Sequence, residues 1–155
     1  MRKLILMFTL VLLAFASVAF TNTPVNTHPT SQAADERIAV TAVAQSYMDA
    51  YYTADVRRMK QVLHPDFRKR TLQSTENGRV EVTQDTTRSV LEGVRSGSGK
   101  TIPATQRVQK IEVLDIYKNA ASLKVVTGRW TDYMLLSKVN GEWRVLDVVL
   151  QYTQR

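Results

Sequence analysis

The chain contains no cysteine in its 155 residues, which excludes a disulfide framework, a thiolate metal site and a cysteine nucleophile. It has two histidines, too few for a histidine-rich metal cluster. Several chemical signatures are also missing. Ser96-Gly97-Ser98-Gly99-Lys100 lacks the spacing of a phosphate-binding loop, and neither a His-Glu-x-x-His zinc motif nor a Gly-x-Ser-x-Gly elbow occurs. Hydrophobic residues make up 44% and charged residues 23%, ordinary globular usage that rules out a wholly disordered chain, a collagen and a polytopic membrane protein. The length suits one domain, which typically takes about 100–200 residues.

The formal net charge is +7. Arg2 and Lys3 precede an uncharged run, Leu4 to Phe20, rich in Leu, Val, Phe and Ala. Ser17-Val18-Ala19 supplies small residues where a signal peptidase cuts, and Ala14-Phe15-Ala16 is a second choice. Residues 1–19 are therefore expected to be a cleaved signal peptide and the protein to be secreted or periplasmic. The alternative is a retained membrane anchor, since the run is near the lower length limit for spanning. With no cysteine to follow, lipoprotein anchoring is excluded. Residues 20–34, rich in Thr, Asn, Ser and Pro, read as a disordered linker. The folded unit is expected over 35–155. Without Arg2 and Lys3 the chain keeps 19 basic against 14 acidic residues, a modest +5.

Asp35 can cap a helix running to about Ala54, because Val40, Val43, Ala44, Tyr47, Tyr51 and Ala54 form one apolar stripe at helical period. Asp55 can cap a second helix that Pro65 stops. A hairpin is expected from Arg68–Gln73 and Arg79–Thr83 around Asn77-Gly78, and a third helix from Thr83 or Asp85 to about Arg95. The last third reads as three long strands. They are Arg107–Tyr117, then Ala121–Val139 with a bulge or bend at Gly128, then Glu142–Gln151 after an Asn140-Gly141 turn. Segregated helices and strands indicate an α+β fold: three helices packed on a strongly bent antiparallel sheet, with a cavity between them.

Tyr47-Met48-Asp49-Ala50-Tyr51, Ala54-Asp55 and Val62-Leu63-His64-Pro65-Asp66-Phe67, together with Asn140-Gly141-Glu142-Trp143-Arg144-Val145, resemble the nuclear transport factor 2-like superfamily. The branch they are most similar to is the SnoaL-like and lumazine-binding one. The resemblance implies a cone-shaped α+β fold with an internal pocket, and often a dimer through the sheet face. It does not imply a function, because the superfamily includes isomerases, dehydratases, cyclases, epoxide hydrolases and binding modules.

Candidate residues follow from the chemistry such a pocket needs. Asp147 shares strand parity with Trp143, Val145 and Val149, and burial there would raise its pKa toward that of a general acid or base. The opposite parity is equally apolar, so Asp147 can instead face solvent or a dimer partner. Asp66 and His64 lie near the place where the superfamily's isomerases hold a catalytic Asp; the other reading is a turn fixed by side-chain hydrogen bonds. Tyr47 is a candidate donor to a carbonyl, or core filler. Tyr47, Tyr51, His64, Phe67, Trp130 and Trp143 are the candidate ligand-binding set. Trp130, Tyr133, Trp143 and Tyr152 can stack a planar ligand or form a dimer face, and Asp132 beside them has no assigned part. The basic cluster Arg57, Arg58, Lys60, Arg68, Lys69 and Arg70 reads as a solvated face rather than a polyanion site.

The expected function is an exported domain binding a small apolar or planar organic ligand, as a homodimer. No cofactor, metal, nucleic acid or lasting membrane insertion is expected. The competing readings are a small isomerase or dehydratase using Asp147 or Asp66 with a tyrosine donor, and an envelope interaction domain acting through its sheet face. An enclosed cavity with no carboxylate would remove the enzyme reading.

Overall fold

A computed structural model describes residues 29–153. The proposed leader and most of the linker fall on residues 1–28, outside the described residues. Helix α1 (Pro29–Thr53) begins six residues earlier than Asp35. Proline's fixed φ suits a first helical turn. Residues 29–34, read above as linker, therefore belong to α1, and the side chains of residues 31–35 are exposed. Helix α2 (Val56–Val62) is capped as expected, the Asp55 carboxylate accepting from the Arg58 N–H at 2.9 Å.

Strand β1 (Leu63–Ser74) follows at once and absorbs His64-Pro65-Asp66, which the sequence suggests as a turn. Strand β2 (Val80–Thr86) pairs with it across the expected hairpin. Helix α3 (Thr87–Arg95) has Thr86 as its cap in a reciprocal pair with Ser89. A short 3₁₀ turn (Ala104–Gln106) leads to β3 (Val108–Tyr117), β4 (Ala120–Thr127), β5 (Trp130–Val139) and β6 (Glu142–Tyr152).

The run Ala121–Val139, expected as one bent strand, is thus two. Thr127 Oγ1 accepts from the Arg129 and Trp130 N–H groups at 3.1 and 2.9 Å and closes a tight turn at Gly128-Arg129. A Cβ on Gly128 would lie 2.8 Å from Gln106 Cα, so only glycine lets the turn seat against the 3₁₀ segment. At the next hairpin Asn140 and Gly141 both take positive φ, 51° and 83°, as a two-residue turn requires.

The six strands form one curved sheet in the order β2-β1-β6-β5-β4-β3. Every neighbouring pair is antiparallel except β1 and β6, which run parallel. That pair joins the first hairpin to the final meander. The chain between them is long enough, with α3 in it, for a parallel return. The three helices pack on one face, α1 lying over β3, β4 and β6. Phe67, Met48, Met59, Leu123, Met134 and Leu136 are among the fully buried side chains between helices and sheet. Each contributes about 1.5–3 kcal/mol by leaving water. Among the described residues no helix is long and apolar enough to cross a membrane.

Candidate functional site

Side chains alternate across a strand, so β5 sends Trp130, Asp132, Met134 and Leu136 to the helix-covered face and Tyr133 and Leu135 outward. Asp132 is therefore delivered into the interior, where it is 2% exposed. Between the sheet and the helices lies a cavity of about 230 Å³. Its floor is Trp130, Asp132 and Leu150 of the sheet; α1 supplies Tyr47, Met48 and Tyr51, and α3 supplies Ser89, Val90 and Gly93. Lys69 of β1 and Asp85 of β2, opposite one another in register, also line it, as does Tyr152 at the end of β6.

Asp132 is held on one side only. Trp130 Nε1 donates to its Oδ2 at 2.8 Å, whereas Oδ1 is buried with no hydrogen-bond partner. Most buried polar atoms are hydrogen-bonded, so this oxygen is open to a bound water, ion or ligand. Burial pushes the carboxyl up to about 6, against the opposing pull of the Lys69 charge and the Trp130 hydrogen bond. Near neutrality Asp132 can therefore either accept or donate a hydrogen bond. Burial first, then the neighbouring Asp132 charge, drives the Tyr47 phenol well above its usual range. The Tyr51 phenol is raised too, chiefly by burial. Both phenols are thus neutral donors near neutral pH. The Tyr51 ring meets Trp130 edge-on, with centroids 6.3 Å apart and planes at 80°.

Of the predicted set, Tyr47, Tyr51 and Trp130 come together in this cavity. The others do not line it. Phe67 is fully buried behind Tyr47, ring centroids 6.3 Å apart, as core. His64 Nδ1 accepts from the Asp66 N–H at 3.0 Å, and the Asp66 side chain is 84% exposed, so this pair fixes the start of β1 rather than a reaction centre. Trp143 donates from Nε1 to Glu36 Oε2 at 2.6 Å and ties β6 to α1. Lys138 on the same carboxylate, and then Trp143, hold Glu36 below its usual range.

Asp147 lies on the opposite face of the sheet, ion-paired with Arg70 and with Leu135 across from it. The parity that grouped it with Trp143 and Val145 is broken by a bulge. Leu136 pairs with Val145 and Leu135 with Asp147, leaving Leu146 as the extra residue. Beyond the bulge Val148 and Leu150 turn inward, and Asp147 and Val149 turn outward. Asp132 and Lys69 are the residues that sequence reasoning missed. The signal for Asp132 was its parity with Trp130 and Met134. Lys69 belongs to the basic cluster read as a solvated face; its neighbour Arg70 does point outward, to Asp147.

Among the described residues no group of three or more His, Cys, Asp or Glu side chains is placed to hold a metal ion. The cavity can bind one small molecule, present aromatic edges and faces to it, and exchange a proton or hydrogen bond through Asp132.

Residues 35–150 match the family described as "Putative lumazine-binding". No curated protein matches the chain in sequence. Solved structures do share its fold. One, an NTF2-like protein with a cystatin-like fold from Novosphingobium aromaticivorans, is 9% identical and has a TM-score of 0.63, over 86% of this chain and 92% of its own. An NTF2-like protein of unknown function from Shewanella baltica is 16% identical with a TM-score of 0.55, covering 79% and 97%. A "putative dehydratase" of the same fold from Streptomyces avermitilis is 8% identical with a TM-score of 0.58, covering 79% and 99%.

Proposed function

The chain belongs to the "Putative lumazine-binding" family of the nuclear transport factor 2-like superfamily, and from that premise we propose that it binds a small planar heteroaromatic molecule in the Asp132 cavity. The observation that carries this is the free Oδ1 of Asp132 inside a pocket lined by Tyr47, Tyr51 and Trp130. A ring with adjacent N–H and C=O groups suits both states of that carboxyl: ionised it accepts from N–H, protonated it donates to C=O. Lumazine, a pteridine-dione, has such an edge. At about 230 Å³ the cavity is below the ~300–1,000 Å³ of drug-sized pockets, which favours one or two fused rings.

Calorimetric titration of the protein with lumazine tests this. Binding is expected, and Asp132→Leu should weaken it at least about tenfold by removing a charge-assisted hydrogen bond. Undiminished binding by Asp132→Leu, or no binding by the intact protein, would remove lumazine-like rings as the ligand class.

A second reading has one observation in its favour: a carboxyl near pKa 6 beside a neutral tyrosine donor is suited to general acid–base work. In it Asp132, not Asp147 or Asp66, takes the proton in an isomerisation or dehydration, and Tyr47 donates to the carbonyl. Turnover of a candidate ring substrate, falling in Asp132→Asn by far more than its binding weakens, separates it from simple binding.

Export and self-association belong to the same proposal. The charge-free run from Leu4 and the small residues at Ser17-Val18-Ala19 support removal of a signal peptide, and a mature chain beginning at Phe20 in the envelope or medium is the expected product. Leu114, Tyr133 and Leu135 on the outer sheet face are about half exposed, which suits a second copy better than free solvent. Sedimentation of the mature chain should give a dimer that Leu135→Glu converts to monomer.

A further inference from the structure

Beyond the inner cavity, at the end of the sheet where β4 turns into β5, lies a wider vestibule of about 750 Å³. The two share Tyr152, which stands between them. The vestibule is lined by the amides of Gln73, Gln106 and Gln151, the hydroxyls of Ser74 and Thr153, and one charged side chain, Arg129. No carboxylate side chain is among them.

Arg129 is held firmly at its backbone. Its N–H bonds Thr127 Oγ1 at 3.1 Å, and its C=O accepts from the Thr153 N–H at 2.9 Å. Beside it the Gly128 N–H donates to the Gln106 C=O at 3.1 Å. Its guanidinium forms no ion pair among the described residues. Its charge nonetheless reaches inward, pulling the Tyr51 phenol down against the larger effect of burial. An exposed guanidinium carried on a fixed stretch of backbone, among neutral side chains and with no carboxylate partner, is free to meet an oxyanion, and its planar fork can take two oxygens at once.

We propose that the vestibule receives an oxyanion, a carboxylate or phosphate carried on a short arm of the ring bound in the cavity, with Arg129 as its main contact. This rests on the reading of the inner cavity as a ring site. It extends the ligand class from a neutral bicycle to an anionic ring derivative. The cavity and the vestibule meet at Tyr152, so an arm leaving the ring past that side chain would enter the space beside Arg129.

The test titrates the full chain with lumazine and with lumazine-6-carboxylate, and follows the backbone amides of Gly128, Arg129, Gln151 and Thr153 by NMR as inorganic phosphate is added. The carboxylated probe should bind about tenfold tighter than lumazine, the scale of one partly solvated charge-assisted contact. Arg129→Gln should erase that preference and leave lumazine affinity unchanged; phosphate should shift the vestibule amides in the intact protein and not in Arg129→Gln. Equal affinity for the two probes overturns the inference while leaving the ring reading intact. So does a preference erased by Lys69→Gln instead, which would seat the anion in the inner cavity. If neither ring binds, the ring reading fails by itself and phosphate decides. Shifts lost in Arg129→Gln uphold an oxyanion site, and no shifts overturn it.

Discussion

Asp132 and Asp147 sit on adjacent strands of one sheet, on β5 and β6, and the fold treats them in opposite ways. Asp147 faces outward with its side chain 28% exposed and is neutralised by Arg70 from the neighbouring strand. Asp132 faces inward, 2% exposed, with one oxygen on Trp130 and the other on nothing. The outer carboxylate is a finished structural contact. The inner one is left incomplete at a cost to the fold, because burial without a full set of partners disfavours its ionised form. Proximity to aromatic residues does not separate the two, since Tyr133 lies on the outer face and Trp130 on the inner. What separates them is whether the charge is answered.

The largest effect that probes this contrast uses two adjacent leucines. Leu136 is 2% exposed under the helices, and Leu135 is 51% exposed on the outer face. Leu136→Ala should cost about 2–5 kcal/mol of unfolding free energy, through lost burial and the cavity left behind. Leu135→Ala, measured by urea denaturation at a concentration where the chain is monomeric, should stay within about 0.5 kcal/mol. At higher concentration its cost should grow if the outer face self-associates. Equal costs in the monomer would mean that the outer face is packed in a way the fold does not suggest.

Next in size is the pH dependence that Asp132 imposes. Its carboxyl titrates near 6 when folded, against an ordinary value of 3.8. The folded state therefore binds this proton more tightly than the unfolded chain. Stability from this group is full below about 4, falls as pH rises toward 6, and stays low above it. Two pKa units correspond to about 3 kcal/mol. Asp132→Asn keeps an acceptor for Trp130 Nε1 and removes the ionisation. It should stabilise the protein by about 2–3 kcal/mol at pH 7 and flatten the curve between pH 4 and 6, measured as urea midpoints across that range. A variant less stable than the parent at pH 7 would show that Asp132 is a supporting residue and not a strained site group. The same substitution should weaken lumazine, the trade expected of a site kept at some expense to stability.

Much of this architecture is legible in the sequence. The Asp55 cap, the Asn140-Gly141 turn and the segregation of helices from strands rest on short-range rules, and they hold. Tyr47 and Tyr51 reach the cavity because helical periodicity places them on the apolar stripe of α1. The carboxylate was not legible, for two reasons that lie beyond local pattern. A single extra residue at Leu146 reverses the facing of everything after it on β6, so the parity that favoured Asp147 ends two residues too early. On β5 the pattern is intact, but both faces carry large apolar residues, Met134 and Leu136 against Tyr133 and Leu135, so alternation cannot say which one the helices cover. Lys69 was lost in a run of basic residues whose alternate members point to opposite faces. Gly128 read as a bend because nothing local reveals Gln106 pressing on its α-carbon.

The smallest expected effect is also the sharpest comparison. Asp147→Asn removes a charge that is partly solvated and paired with a more exposed arginine. Such pairs are worth about 0–1 kcal/mol, because the attraction is screened and two long side chains must be held in place. The loss should be below about 1 kcal/mol and should fade with added salt. It should have the opposite sign to that of Asp132→Asn at pH 7, and lumazine affinity should not change. Two Asp→Asn changes on neighbouring strands would then move stability in opposite directions and binding in only one case. If Asp147→Asn instead stabilised the protein or weakened the ligand, the outer carboxylate would be under the same tension as the inner one. The bulge at Leu146 would then not be what divides the two faces.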